Sequence, residues 1–144
     1  MSAVIRHANE TDVSAIEALL RDNALPIDGV RDRLRTTLVA KADGRVIGTA
    51  ALEVFADGAL LRSVAVSASQ RNSGAGARLV QALLELASER DLRAVYLLTT
   101  TAESYFPRFG FRRVSREVVP PGVRQSVEFT SACPASATVM RRDL

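Results

Sequence analysis

Cysteine is almost missing from this sequence: Cys133 stands alone among 144 residues. An internal disulfide is thereby excluded. Histidine is as scarce, with His7 the only one. One histidine and one cysteine are too few ligands for a zinc centre of the usual kind. Lysine is represented by Lys41 alone, so arginine carries the formal net charge of +3. The arginines are dispersed, and only Arg112-Arg113 and Arg141-Arg142 are adjacent. A basic stripe of the kind that tracks nucleic acid is therefore lacking, while a local site for an anionic ligand such as a nucleotide phosphate stays open. No apolar run reaches membrane-spanning length, and the N-terminus lacks a charged-then-apolar leader pattern. No repeat, low-complexity tract or linker divides the chain. The expectation is one soluble, cytoplasmic domain over residues 1–144, without metal, membrane or nucleic-acid partner. A homodimer is left open.

What is present is a globular balance: 47% apolar and 24% charged residues, enough for one packed core. Residues 4–6 read as a first strand. Asn9 to Thr11 cap a helix with Asp12 in its first turn, and Val13, Ile16, Leu19 and Leu20 recur at helical spacing. Residues 30–35 read as a second short helix. Three strands follow, at 37–42, 45–55 and 59–66, joined by the turns Asp43-Gly44 and Asp57-Gly58. A long helix over 74–90 carries Leu79, Val80, Leu83, Leu84 and Ala87 on one face. Residues 94–99 form a short apolar run that suits a buried strand. Strand, helix and buried strand in succession predict a parallel crossover. A helix over 102–109, interrupted by Pro107, a strand over 111–114, a short helix over 123–129 and a last strand over 137–141 complete the reading. The fold class is α/β (α+β) with a mixed sheet.

The turn between strand 59–66 and helix 74–90 carries the chemistry. A helix start offers unpaired backbone N–H groups and the positive end of a dipole, an anion site that phosphate oxygens can fill. Gly74 and Gly76 lack the Cβ atoms that would block a close ligand, and Arg71 adds a fixed positive charge. The turn has no Gly-Lys-Ser/Thr, and no Gly-x-Gly-x-x-Gly with a later acidic residue, so the triphosphate and dinucleotide loops are poor matches. An ordinary strand-to-helix turn with glycines for close packing is the bland alternative.

The arrangement Arg71-Asn72-Ser73-Gly74-Ala75-Gly76, after a strand ending Val64-Ala65-Val66, resembles motif A of the GNAT N-acetyltransferases. The resemblance extends over essentially the whole chain. It implies a central mixed, mostly antiparallel sheet flanked by helices, with acetyl-CoA as cosubstrate. It assigns residues 71–76 to the pyrophosphate, and Val64, Ala65 and Val66 to the pantetheine arm and the acetyl carbonyl. Residues 102–111, ending Phe109-Gly110-Phe111, resemble the later family motif, in which a tyrosine four residues before the glycine protonates the departing thiolate. Phe106 stands at that spacing, and Tyr105 is one position earlier, about 100° away on a helix. Either Tyr105 serves through a shifted helix, or solvent does, or Tyr105 only packs.

Residues 98–111 are further similar to the acetyltransferase domain of N-acetylglutamate synthases. The tail 128–137 resembles the small acetyltransferases associated with arsenic resistance. That resemblance implies a small amine acceptor, amino-acid-like or an arsenical such as arsinothricin. Cys133 offers one thiol where trivalent arsenic wants two or three, so a small buried residue before Pro134 is its bland reading.

Amine acetylation needs a base. Glu53, on the strand beside 59–66, is the first candidate, and Glu103 and Glu128 are others. An acidic acceptor would need a cation, and Arg62 and Arg108 are the first candidates, before Arg6 and Arg45. Strand alternation places Arg62 on the face of Val64 and Val66 unless a bulge intervenes. Two further classes stay open. Phe106 at the tyrosine position motivates a catalytically silent acyl-CoA-binding module, and the acceptor could instead be a protein or peptide amine.

Overall fold

The computed structural model describes residues 3–132 and 136–144. Seven strands hydrogen-bond in the order β1-β2-β3-β4-β5-β7-β6. They are β1 (Val4–His7), β2 (Thr37–Ala42), β3 (Arg45–Phe55), β4 (Gly58–Val66), β5 (Ala94–Thr99), β6 (Arg112–Val114) and β7 (Thr138–Asp143). The helices are α1 (Val13–Asp22) and α2 (Ala75–Glu89). Neighbouring strands run antiparallel in the pairs β1–β2, β2–β3, β5–β7 and β6–β7, and parallel in β4–β5. The expected mixed, mostly antiparallel sheet is the one found. The chain divides into two compact units, one of residues 1–52 and 63–83, the other of 53–62 and 84–144.

In the first unit, Asn9 closes a capping box with Asp12 ahead of α1. This satisfies N–H groups that the helix start leaves open. The apolar stripe of α1, at Val13, Ile16, Leu19 and Leu20, packs with Val39 of β2 and Ala65 of β4. Asp12 is buried and receives both terminal nitrogens of Arg6, at 2.9 and 3.0 Å. Burial alone would raise its carboxyl pKa. The bonds from Arg6 and the Asn9 N–H, with the charges of Arg6 and Lys41, outweigh that and hold it below the ordinary value. Gly48 of β3 is a close-approach glycine: a Cβ there would meet Leu79 Cδ1 of α2 at 3.0 Å and the Ala65 carbonyl at 3.4 Å.

In the second unit, Leu60, Tyr96 and Val139, from β4, β5 and β7, form a core with Val119 and Val123. The Gly122 N–H donates to Asp57 Oδ2 at 2.8 Å, tying the segment before Val123 to the β3–β4 turn.

The structure revises three short helices. Residues 30–35 are 3-10 turns spanning Val30–Thr36, kinked at Arg33. Only Phe106–Phe109 winds within 102–109, as one 3-10 turn. Proline there has no N–H to give, and left-handed Gly110 (φ 86°) ends the turn. Residues 123–129 are not one helix. A 3-10 turn, Val123–Gln125, ends at extended Ser126, and a π-turn, Glu128–Ala132, follows.

Candidate active site

The expected phosphate turn lies in the first unit. The Ser67 N–H donates to the Ile47 carbonyl at 2.8 Å, and a 3-10 turn, Ala68–Gln70, leads out of β4. Asn72 and Gly74 take left-handed φ values of 71° and 87°. Asparagine and glycine are the residues that adopt this conformation most readily. The Gly74 carbonyl accepts the Arg78 N–H at 3.1 Å, so Gly74 is the last residue before α2. The N–H groups of the first helical turn have no carbonyl of their own helix to bond. Arg71, Asn72, Ser73 and Gly74 are exposed, while Ala75 is buried and Gly76 half-buried. Arg71 Nη2 donates to Asn23 Oδ1 at 3.0 Å, which links the turn to the end of α1. A Cβ built on Gly74 meets no atom within 4 Å. The Ala75 N–H donates to Ser73 Oγ at 3.4 Å. Open space, the other N–H groups of the helix start and a cation suit a pyrophosphate.

The strand leading into this turn departs from simple alternation. Ser63 has φ 58°, a left-handed residue inside β4. This is the kind of irregularity under which the alternation that puts Arg62 on the face of Val64 and Val66 no longer holds. Extended alternation breaks at Ser63, leaving the Arg62 side chain fully buried (0% exposed) and Val64 and Val66 half-buried. Ala65 packs against α1. The parallel pairing of β4 with β5 comprises Ala59 with Val95 and Leu60 with Tyr96.

Arg62 faces two carboxylates in the second unit. Its Nη1 donates to Glu53 Oε1 at 2.9 Å, and its Nε lies 3.6 Å from Glu128 Oε2. Its Nη2 has no hydrogen-bond partner among the described residues. Ser126 completes the cluster, its Oγ donating to Glu53 Oε1 at 2.6 Å. Glu128 is buried, while the Glu53 side chain keeps 25% exposure. Sequence reasoning named Glu53, Arg62 and Glu128 but missed Ser126. A lone serine 73 positions from its partner carries no local signal. Glu103, the third carboxylate considered, is engaged at the surface by Arg113 at 3.3 Å and Thr138 at 2.7 Å.

Phe106, Phe109 and Phe111 are buried, and Tyr105 is half-buried with its ring edge-on to Phe106 and Phe109. The Arg108 guanidinium lies 4.3 Å from the Tyr105 ring centre, and its Nε donates to the Tyr105 carbonyl at 2.8 Å. Tyr105 itself has helical backbone angles (φ −83°, ψ −44°), so a rotation of roughly 100–120° separates it from Phe106. Tyr105 is the residue before the turn, and Phe106 is its first member. Cys133 lies outside the described residues.

A surface depression of about 470 Å³ in the first unit is bordered by Asp12, Asp22, Lys41, Arg45 and Ser67. Of the cations considered, only Arg45 lines it. Among the described residues no three metal-ligating side chains cluster, and no helix is long and apolar enough to cross a membrane.

The model of the Acetyltransferase (GNAT) family matches residues 2–111. The chain belongs to the GNAT family of acetyltransferases. Relatives of comparable length include the uncharacterized N-acetyltransferase CT2212 of Chlorobaculum tepidum. It is 29% identical over 81% of this chain and 79% of its own. An amino-acid acetyltransferase of Mycobacterium tuberculosis is 31% identical over 77% of this chain and 69% of its own. Longer relatives also occur: the chain spans only 31% of the Pasteurella multocida amino-acid acetyltransferase, at 27% identity. Among solved structures, Rv2747 of M. tuberculosis, in complex with CoA and NLQ, superposes with a TM-score of 0.84. It is 26% identical and covers 98% of this chain and 99% of its own. The N-acetylglutamate synthase of Neisseria gonorrhoeae, complexed with coenzyme A and N-acetyl-glutamate, shares the GNAT fold at a TM-score of 0.85. It is 23% identical, and this chain spans 35% of it.

Proposed function

We propose that this chain transfers the acetyl group of acetyl-CoA to the amine of a small, amino-acid-like acceptor. The observation that carries this reading is the turn from Arg71 to Gly76: an exposed cation, left-handed Asn72 and Gly74, and open space where a Gly74 Cβ would project. The acceptor class is supported by the amino-acid acetyltransferases among the relatives. The resemblance of the tail adds arsinothricin to the acceptors worth testing.

Acetyl-CoA supplies an activated acyl group. In this reading, residues 71–76 hold its pyrophosphate, and backbone groups of Val64, Ala65 and Val66 receive the pantetheine arm and polarise the acetyl carbonyl. Glu53 takes a proton from the acceptor's ammonium. The neutral amine attacks the carbonyl carbon, a C–N bond forms and the C–S bond breaks. Tyr105 gives the leaving sulfur its proton, since a phenol pKa of about 10 lies near that of a thiol, and the second proton lost from the nitrogen as it becomes an amide restores the phenol through solvent. Arg108, exposed beside Tyr105, is the cation proposed for an acid group on the acceptor.

The test is incubation with acetyl-CoA and L-glutamate, phosphinothricin, arsinothricin and a set of simple amines and peptides, with free thiol as the readout. Acetylation of an amino-acid-like member is the expected result. CoA binding in calorimetry without turnover of any amine would favour the silent binding module that Phe106 motivates, and turnover of peptides alone would move the acceptor class.

A further inference from the structure

Among the described residues, the Glu53 carboxylate is held by one of its oxygens. Arg62 Nη1, at 2.9 Å, and Ser126 Oγ, at 2.6 Å, both donate to Oε1. Oε2 accepts no hydrogen bond from a described residue, and the side chain retains 25% exposure. The direction of the Ser126 hydroxyl is decided by its other contact. The Glu128 N–H donates to Ser126 Oγ at 3.2 Å, so a lone pair is occupied and the hydroxyl proton goes to the carboxylate. An ionised carboxylate can only accept. Arg62 is fixed in turn, because its side chain has no exposure and Glu128 Oε2 lies 3.6 Å from its Nε. One guanidinium therefore stands between two carboxylates, which leaves little attraction for a third, brought by a substrate.

We propose that Arg62 and Ser126 are positioning residues, which pin Glu53 Oε1 so that Oε2 is presented as the proton acceptor for the acceptor's amine. This rests on the acetyl-transfer reading above, and it gives Arg62 a role different from that of a substrate clamp. The ammonium N–H bond breaks and its proton passes to Oε2; the freed lone pair makes the C–N bond as the C–S bond breaks, and the second proton leaves the nitrogen through solvent as the amide forms. Ser126 reaches the site because Val123–Gln125 ends in extended Ser126, and Gly122 anchors that segment to Asp57.

The experiment is a double-mutant cycle with whichever of L-glutamate, phosphinothricin and arsinothricin is turned over fastest. Glu53→Gln keeps an oxygen to accept from Arg62 and Ser126 but cannot take the proton. Removing one hydrogen bond to a charged group should cost about tenfold, so Ser126→Ala should lower kcat by about that factor. The KM for acetyl-CoA should not change, and Ser126→Thr should restore the rate. In the Glu53→Gln background, Ser126→Ala should have no further effect. Arg62→Lys, which keeps the charge if Arg62→Met fails to fold, should behave like Ser126→Ala in both backgrounds. Thermal unfolding of the free proteins gives a second readout: Glu53 and Ser126 should couple non-additively there too. Equal losses from Ser126→Ala in both backgrounds, or none in the parent, would overturn the positioning role while leaving Glu53 as the base. An undiminished kcat in Glu53→Gln would overturn the base assignment, and this inference with it. No turnover of any of the three acceptors would overturn the amino-acid-like acceptor class and leave acetyl transfer itself standing, and the same cycle would then be read with whichever amine of the wider set is acetylated.

Discussion

Replacing Gly74 by alanine separates what this glycine does for the fold from what it does for a ligand. The backbone at Gly74 has φ 87°, where a Cβ costs about 1–2 kcal/mol. Packing adds nothing, because no atom lies within 4 Å of the new methyl. The fold should lose about 1–2 kcal/mol, a fall in Tm of roughly 3–8 °C for a chain of this size. Binding should lose more. If the methyl displaces a phosphate oxygen from even one N–H of the helix start, the lost charge-assisted bond is worth about 1.5–3 kcal/mol. That weakens the CoA Kd by roughly 10- to 150-fold. Gly44→Ala is the control, since Gly44 has φ 74° and its Cβ position is equally empty. It should show a similar fall in Tm with an unchanged Kd. Calorimetry of CoA binding and thermal melts of both variants measure the two effects. A Gly74→Ala protein with lowered Tm and a Kd within twofold of the parent would refute the pyrophosphate assignment. An equal loss of affinity in Gly44→Ala would show that strain, and not ligand contact, is being read.

Two other outcomes follow from the geometry. Asp12→Asn breaks the two-point contact with Arg6, at 2.9 and 3.0 Å, and should cost about 1–3 kcal/mol in urea unfolding at neutral pH. Because the folded-state carboxyl pKa lies below its ordinary value of 3.8, this stabilisation is complete above that value and is lost as pH falls through the folded one. The difference between parent and variant should thus stay constant from pH 7 to 5 and narrow in more acidic buffer. A difference that is the same at low pH would refute the charge-based account. Tyr105→Phe should lower kcat by about 100-fold if the phenol is the general acid, with little change in Tm because the ring contacts with Phe106 and Phe109 remain. An unaltered rate would make Tyr105 a packing residue.

The strands were legible from composition and turn chemistry. Asp43-Gly44 and Asp57-Gly58 bound β3 where the hairpin rule puts them, and the apolar run 94–99 became the buried β5. The long helix was equally legible, because 3.6-residue periodicity leaves one stripe, through Leu79, Val80 and Leu83, fully buried. The short segments were not. At 102–109 and 123–129 the residue types allow a helical turn, but Pro107, Gly110 and the extended Ser126 cut each one short. A single turn has too little periodicity to reveal that beforehand.

The sequence by itself determined the strand–turn–helix around Gly74, and its resemblance to a known motif pointed to the family. The first rests on local rules: where backbone N–H groups are left open, and where a left-handed residue must stand. Only the tertiary structure decided the use of Arg62. A left-handed Ser63 breaks the alternation that would have turned Arg62 to the face of Val64 and Val66. The guanidinium is buried instead between Glu53 and Glu128, with Ser126 brought to Glu53 from 73 residues away. Spacing along a chain cannot report that, because a buried charge selects its partners by distance in space.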